Sequence, residues 1–258
     1  MCLALAGCGH RGGEATSDTT GDNVPTQSMG GIWNGTDATG RTVVALADEA
    51  GEFHIILDDG TQYAGTASTE GDAVSANAQR LQRHSGPGGP SGSAASGSAV
   101  ATALKGKVQQ RQSMSITVAP AAGAQSFPPE TFSLQFNSSY NDPSSLAMIA
   151  GDYMDSINGN MIKINGSGTL FWHDSNDCLA EGAVSIIDPR YDLYEVQFQY
   201  SACQGPFADL NGTEFLGLGT LDKSLQPAQF VFGVTSDMNG HSYAIDQRLS
   251  KLPPRSPI

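Results

Sequence analysis

The stretch Gly51 to Ser68, GEFHIILDDGTQYAGTAS, lays without gaps on Gly168 to Ser185, GTLFWHDSNDCLAEGAVS. Gly51 then meets Gly168, Phe53 meets Leu170, Ile55 meets Trp172, Gly65 meets Gly182 and Ser68 meets Ser185. Upstream, Gly31-Ile32-Trp33 matches Gly151-Asp152-Tyr153. Downstream, Lys105 to Val118 resembles Leu218 to Val234, and Thr131 to Ser145 runs parallel to Ser242 to Ser256. Four matches in the same order at a nearly constant offset mark an internal repeat. A repeat restricts the fold to a unit that can be built twice. The chain therefore reads as two homologous domains, residues 30–145 and 146–258, each of a size that folds alone.

The fold class of that unit is set by patterning. With 31 Gly and only 15% charged residues, the chain lacks the Ala-Glu-Lys-Leu pattern of helices. Short runs of alternating apolar residues, broken by Gly, Asn, Asp, Ser and Thr, predict an all-β, antiparallel architecture. In the second domain strands are expected near Gly151–Met154, Met161–Asn165, Thr169–His173, Ala180–Ile186, Leu193–Tyr200, Thr213–Leu221, Gln229–Thr235 and Ser242–Arg248. Asn158-Gly159, Asn165-Gly166 and Asn239-Gly240 supply the positive φ values of tight hairpins. In the strand from Leu193, the residues Tyr194, Val196, Phe198 and Tyr200 share one face and belong to the core. About eight hairpin-linked strands per domain fit a small up-and-down barrel or a two-sheet sandwich, and closure would remove exposed edges. The opening Gly-x-Trp/Tyr of each copy resembles lipocalin-like barrels, in which an aromatic on the first strand plugs one end.

The copies differ in their clamps. Cys178 falls opposite Thr61 and Cys203 opposite Gly86, so only the second domain carries this pair. With no CxxC and no His/Cys cluster, a disulfide is the natural reading, and it implies an oxidising compartment. Closing such a loop contributes on the order of 3–4 kcal/mol by chain entropy. The first domain instead carries an insert, Ser85 to Ser98, of low complexity and flexible composition. It is expected to be the looser of the two.

The N-terminus bears on location. Leu5-Ala6-Gly7-Cys8 resembles the lipobox of bacterial lipoproteins, an aliphatic residue and two small ones before the cysteine that is lipidated. The resemblance implies that residues 1–7 are the remnant of a signal peptide and that Cys8 is the lipidation site. Residues 8–29 are then a lipid anchor and tether; Gly9 to Met29 is polar, rich in Gly, Ser and Thr, and too poor in apolar surface to fold. By resemblance to enterobacterial sorting rules, Gly9 in place of Asp after Cys8 implies the outer membrane, facing the periplasm. The sequence has no run of 18 or more apolar residues, so the bilayer is met through Cys8 alone.

Composition also limits partners. A formal net charge of −13 makes nucleic acid and anionic membrane surfaces repulsive and favours a basic protein partner. Chemistry is sparse. There is no Gly-x-Ser-x-Gly elbow and no Cys/His arrangement, and His10, His54, His84, His173 and His241 are scattered. His173, Asp174 and Asp177, with Asp155 in reach, form the densest polar group but lack the spacing of a metal or Ca²⁺ loop. Glu181 and Glu195 fall on solvent faces of strands. No catalytic residue, metal or cofactor is expected. Of the Asn-x-Ser/Thr sequons at Asn34, Asn137, Asn165 and Asn211, three are Asn-Gly and read as turn chemistry. Arg190, Tyr191 and Asp192, on the turn after a strand, are the candidate partner-binding surface, since exposed Tyr and Arg favour interfaces. The general plan resembles periplasmic immunity and inhibitor lipoproteins that guard bacteria against secreted effectors. That plan implies a non-enzymatic binding protein; a small-ligand carrier or an enzyme using a barrel interior, and a structural envelope lipoprotein, are the alternatives.

Overall fold

The computed structural model describes residues 27–82, 95–97, 99–155, 161–173, 178–238 and 241–253. Cys8, nearly all of the tether, most of the insert, His10, His84 and the run Asp174 to Asp177 lie outside the described residues.

Period-two alternation becomes strand after strand. The first domain contributes β1 (Gly31–Asp37), β2 (Thr42–Ala47), β3 (Glu52–Leu57), β4 (Gln62–Glu70), β5 (Ala73–Leu81), β6 (Ala95–Gly97), β7 (Val100–Gln109), β8 (Ser113–Pro120) and β9 (Glu130–Asn137). A 3-10 turn (Ser138–Asn141) and one short helical turn (Leu146–Ile149) lead into the second. There follow β10 (Gly151–Asp155), β11 (Met161–Ile164), β12 (Thr169–His173), β13 (Leu179–Ile186), β14 (Tyr194–Ser201), β15 (Glu214–Asp222), β16 (Gln229–Met238) and β17 (His241–Lys251). Each strand expected in the second domain is present, most with ends moved by one to three residues.

Both domains are closed antiparallel barrels of eight strands, which decides between barrel and sandwich. In the first, β1 pairs with β9 from Ile32↔Asn137 to Asp37↔Phe132. In the second, β10 closes on β17 through Tyr153↔Lys251, Met154↔Ser250 and Asp155↔Leu249. Inward residues pack as two separate cores, one around Trp33, Phe53, Tyr63 and Phe132, the other around Trp172, Phe198, Phe215 and Phe232. Outward positions such as Lys105, Lys107, Ser115, Thr117 and Ser133 are exposed and polar. In the first barrel that polarity is inverse to a lipid-facing barrel, whose apolar residues point out, while the second barrel exposes Met154, Met161 and Phe171 on its outer face.

The repeat read from the sequence occupies equivalent places in the two barrels. Trp33 Nε1 donates to the Met29 carbonyl at 2.9 Å, and Tyr153 Oη donates to the Ile149 carbonyl at 2.6 Å. Each buried aromatic at the start of a first strand thus ties down the chain four residues upstream. Gly51 and Gly168 sit at φ +94° and +85°, just before β3 and β12. A Cβ at either would run into the carbonyl oxygen of Ala67 or Val184, whose own amides donate to the Gly51 and Gly168 carbonyls at 2.8 and 2.7 Å. Left-handed φ and close backbone approach together explain why glycine recurs there. The disulfide joins Cys178 to Cys203, between the start of β13 and the segment after β14.

The insert is not wholly structureless. Its residues 95–97 form β6, which pairs antiparallel with β17 through Ser242↔Gly97, Tyr243↔Ser96 and Ala244↔Ala95. Low complexity reads as flexible because Ala, Ser and Gly bury little surface, but a backbone ladder needs no side-chain burial.

A third apolar cluster lies between the barrels: Ile32, Val44, Leu46 and Tyr140 from the first domain against Leu193, Leu218 and Val231 from the second. This seam accounts for an anomaly of β2 and β3, whose last five residues are all buried. Val43, Ala45 and Ala47 fill the first barrel, while Val44 and Leu46, on the opposite face, are covered by the second. Strands buried on both faces lose the alternation of half-exposed ones.

Candidate functional site

The seam opens into a cleft of about 720 Å³ between the two barrels. Its first wall is built on β3, β4 and β5 by Glu52, His54, Thr66, Asn77 and Gln79, and its second on β15 and β16 by Leu216, Thr235 and Asp237. Because Phe53 and Ile55 point into the barrel, His54 between them points outward, toward the second domain. It is nonetheless buried, with 3% of its side chain exposed. Gly217 of β15 makes this possible, since a side chain there would strike the imidazole.

The polar atoms of the cleft are unevenly satisfied. His54 Nδ1 is buried without a hydrogen-bond partner, and Nε2 lies 3.8 Å from Glu52 Oε1, too far for a hydrogen bond. Leaving such an atom unpaired costs about 1–3 kcal/mol. Beside it in the seam, Gln62 Nε2 reaches the Val234 carbonyl at 3.4 Å while Gln62 Oε1 is buried and unpaired. Across the cleft, Gln79 Nε2 approaches Asp237 Oδ2 at 3.4 Å, and Ser242 Oγ donates to Asp237 Oδ1. The Glu52 side chain is 43% exposed, so its carboxylate faces the opening. The result is a recess rich in acceptors, with two carboxylates on its walls and an imidazole at its base.

The Arg190-Tyr191-Asp192 turn is distributed differently from its sequence reading. Only Arg190 stands in solvent, its side chain 73% exposed and its Nη2 donating to Asp188 Oδ2 at 2.6 Å. Tyr191 stacks on Tyr140 with ring centres 4.6 Å apart and planes 10° from parallel, and its hydroxyl accepts from Arg111 Nη2 at 3.0 Å. Asp192 is fully buried, with Lys223 Nζ 3.1 Å away. Burial pushes its carboxyl above the ordinary range, against the pull of Lys223. Turn residues suggest exposure, but here the turn is pressed onto the segment linking the domains. Two of the three residues therefore belong to the seam.

Three of the four sequons behave as turn elements, but Asn34 is not at a turn: it lies within β1, paired with Val44 on β2 and Gln135 on β9. Asn165 Oδ1 accepts from the amides of Ser167 and Thr169, Asn137 Oδ1 from Ser139, and Asn211 exchanges two hydrogen bonds with the Cys203 backbone. Glu181 is exposed and Glu195 half-buried on the outer face of the second barrel. Among the described residues, no three His, Cys, Asp or Glu side chains converge as metal ligands. No described helix is long and apolar enough to cross a membrane.

The cleft itself escapes a motif search, because its parts come from five strands of two domains. One local signal existed: a histidine inside the otherwise apolar run Phe53 to Leu57. In comparisons of sequence and fold, no family model, curated protein or solved structure matches the chain.

Proposed function

We propose that this chain is a non-catalytic binding protein of the bacterial cell envelope, anchored to the outer membrane through Cys8 and directed at a basic protein partner. The observation that carries this reading is the filling of both barrels. In the second, Trp172, Phe198, Tyr200, Phe215 and Phe232 form a continuous set of ring contacts with centres 4.4–6.5 Å apart. In the first, Trp33, Phe53, Tyr63, Leu104, Ile116 and Phe132 are each buried to 1% exposure or less. A carrier of apolar ligands needs its barrel interior for the cargo. Filled interiors leave recognition to the outer surfaces and the seam, which suits a protein that engages other proteins.

The remaining support is electrostatic and chemical. At −13, the chain attracts basic partners and raises their rate of encounter. The Cys178–Cys203 disulfide suits an oxidising compartment such as the periplasm, and Leu5-Ala6-Gly7-Cys8 supplies the anchor. The plan is that of an immunity or inhibitor lipoprotein, an analogy of architecture alone. Affinity capture from envelope extract at low and moderate salt tests it. A basic protein retained at low salt and weakened as salt rises is the expected result. Capture of no protein at either salt would overturn the reading, and failure of Cys8 to incorporate a labelled acyl chain would remove the anchor.

A further inference from the structure

We infer that the cleft between the barrels is the receptor for an arginine or lysine side chain carried on an extended segment of the partner. The inference deepens the binding reading above and rests on it. Three observations lead to this occupant. First, the cleft offers acceptors: the carboxylates of Glu52 and Asp237 and the side-chain oxygens of Thr66, Asn77, Gln79 and Thr235. Guanidinium and ammonium groups are donors without acceptors, and so complement such a lining. Second, His54 is held at the base of the recess, 3% exposed, with Nδ1 lacking any partner. A neutral imidazole presents one acceptor nitrogen, and a hydrogen-bond donor entering the recess answers the hydrogen bond that Nδ1 does not make within the chain.

Third, the dimensions fit a chain segment better than a lone ion. About 720 Å³ falls within the range of roughly 300–1,000 Å³ typical of ligand sites. Ala64, Ala78 and the half-exposed Leu216 give apolar surface along which the methylene stem of Arg or Lys can lie. Glu52 is open to solvent, so it meets the incoming cation, while Asp237 is already oriented by Ser242 and Gln79. An anionic segment would meet two carboxylates and is rejected.

The test uses the full chain and three capped hexapeptides, glycine alternating with arginine, with lysine or with glutamate. Binding is followed through the backbone amide resonances at an ionic strength of about 0.05 M, where screening is weak. The basic peptides are expected to shift residues 52–54, 64–66, 77–79 and 235–237, and the acidic peptide none of them. The double variant E52Q/D237N should weaken arginine-peptide binding by about tenfold or more. The charge-matched control E181Q/E195Q, on the outer face of the second barrel, should leave it within about twofold. H54F, which replaces the imidazole by an apolar ring, should weaken binding while sparing both carboxylates. Equal weakening by the control would reduce the effect to net charge and overturn the inference, as would shifts confined to Arg190–Asp192 or no binding at all. A captured envelope partner whose affinity ignores E52Q/D237N would sink the cleft and leave the binding reading standing. Binding of basic peptides in the cleft without any captured partner would do the reverse.

Discussion

The two barrels reach the same strand order by different means. The first closes with six residue pairs between β1 and β9, from Ile32↔Asn137 to Asp37↔Phe132. Among the described residues the second shows three pairs between β10 and β17, and the N-terminal part of β17 takes β6 from the first domain along Ser242 to Ala244. The second core is the more aromatic, with Tyr153, Trp172, Tyr194, Phe198, Tyr200, Phe215, Phe230, Phe232 and Tyr243. The first has Trp33, Phe53, Tyr63 and Phe132 among smaller aliphatic residues. Its long closing ladder is a counterweight to the missing disulfide, and the expectation that it is the looser domain does not follow from cysteine content alone. The second barrel is held by ring packing, a covalent staple and a borrowed strand.

The disulfide is where the comparison breaks most visibly. With Cys178 and Cys203 separated by 25 positions in sequence, the chain-entropy relation gives about 3.5 kcal/mol. The C178S/C203S variant should lose about that much stability. Amide exchange should rise in β13 and β14 while β4 and β5 keep their protection. Equal loss of protection in both barrels would show that the seam fuses them into one cooperative unit.

The equivalence of the barrels is sharpened by Gly51 and Gly168. Both have positive φ, and in both a Cβ meets a backbone carbonyl that cannot swing away as a side chain could. G51A and G168A are each expected to cost about 1–3 kcal/mol. Denaturant midpoints of the two variants should fall by similar amounts. A severe G51A beside a neutral G168A would show that the matched glycines do not do the same job.

These glycines also mark how far the sequence could be read. Gly51/Gly168, Gly65/Gly182 and Trp33/Tyr153 are local features, and each is legible because its conformation depends on neighbours a few residues away. The alternation of Tyr194, Val196, Phe198 and Tyr200 is legible for the same reason: all four are buried. What failed to show was whatever depends on one domain meeting the other. Tyr191 and Asp192 have the residue types of an exposed turn, and Tyr140 and Arg111 of the first domain, far away in sequence, make them part of the seam. His54 is ordinary until Gly217 is placed against it. The apolar runs of β2 and β3 carried a readable hint of this second layer, since unbroken burial on a barrel strand implies cover from outside.

Acid offers the finest discrimination between the regions, because two buried carboxylates respond with opposite signs. In the first barrel, burial alone would raise Asp37, but hydrogen bonds from Arg41 and Thr39 outweigh it and hold the carboxyl at about 2, against 3.8 when unfolded. A depressed folded pKa means that the unfolded chain takes up the proton first. This stabilisation is therefore present above pH 3.8 and is lost as pH falls toward about 2. Asp192, at the seam, is shifted the other way by burial, with Lys223 opposing. Its folded form takes up the proton before the unfolded one, so acidification toward pH 3.8 relieves a penalty there. Urea midpoints measured from neutral pH down to about 2 should separate the two contributions. D37N should lower the midpoints above pH 3.8 and flatten the fall below it, whereas D192N should remove a rise that precedes the fall. If D37N leaves the acid limb as steep as before, the Arg41 and Thr39 contacts do not distinguish the folded from the unfolded first barrel.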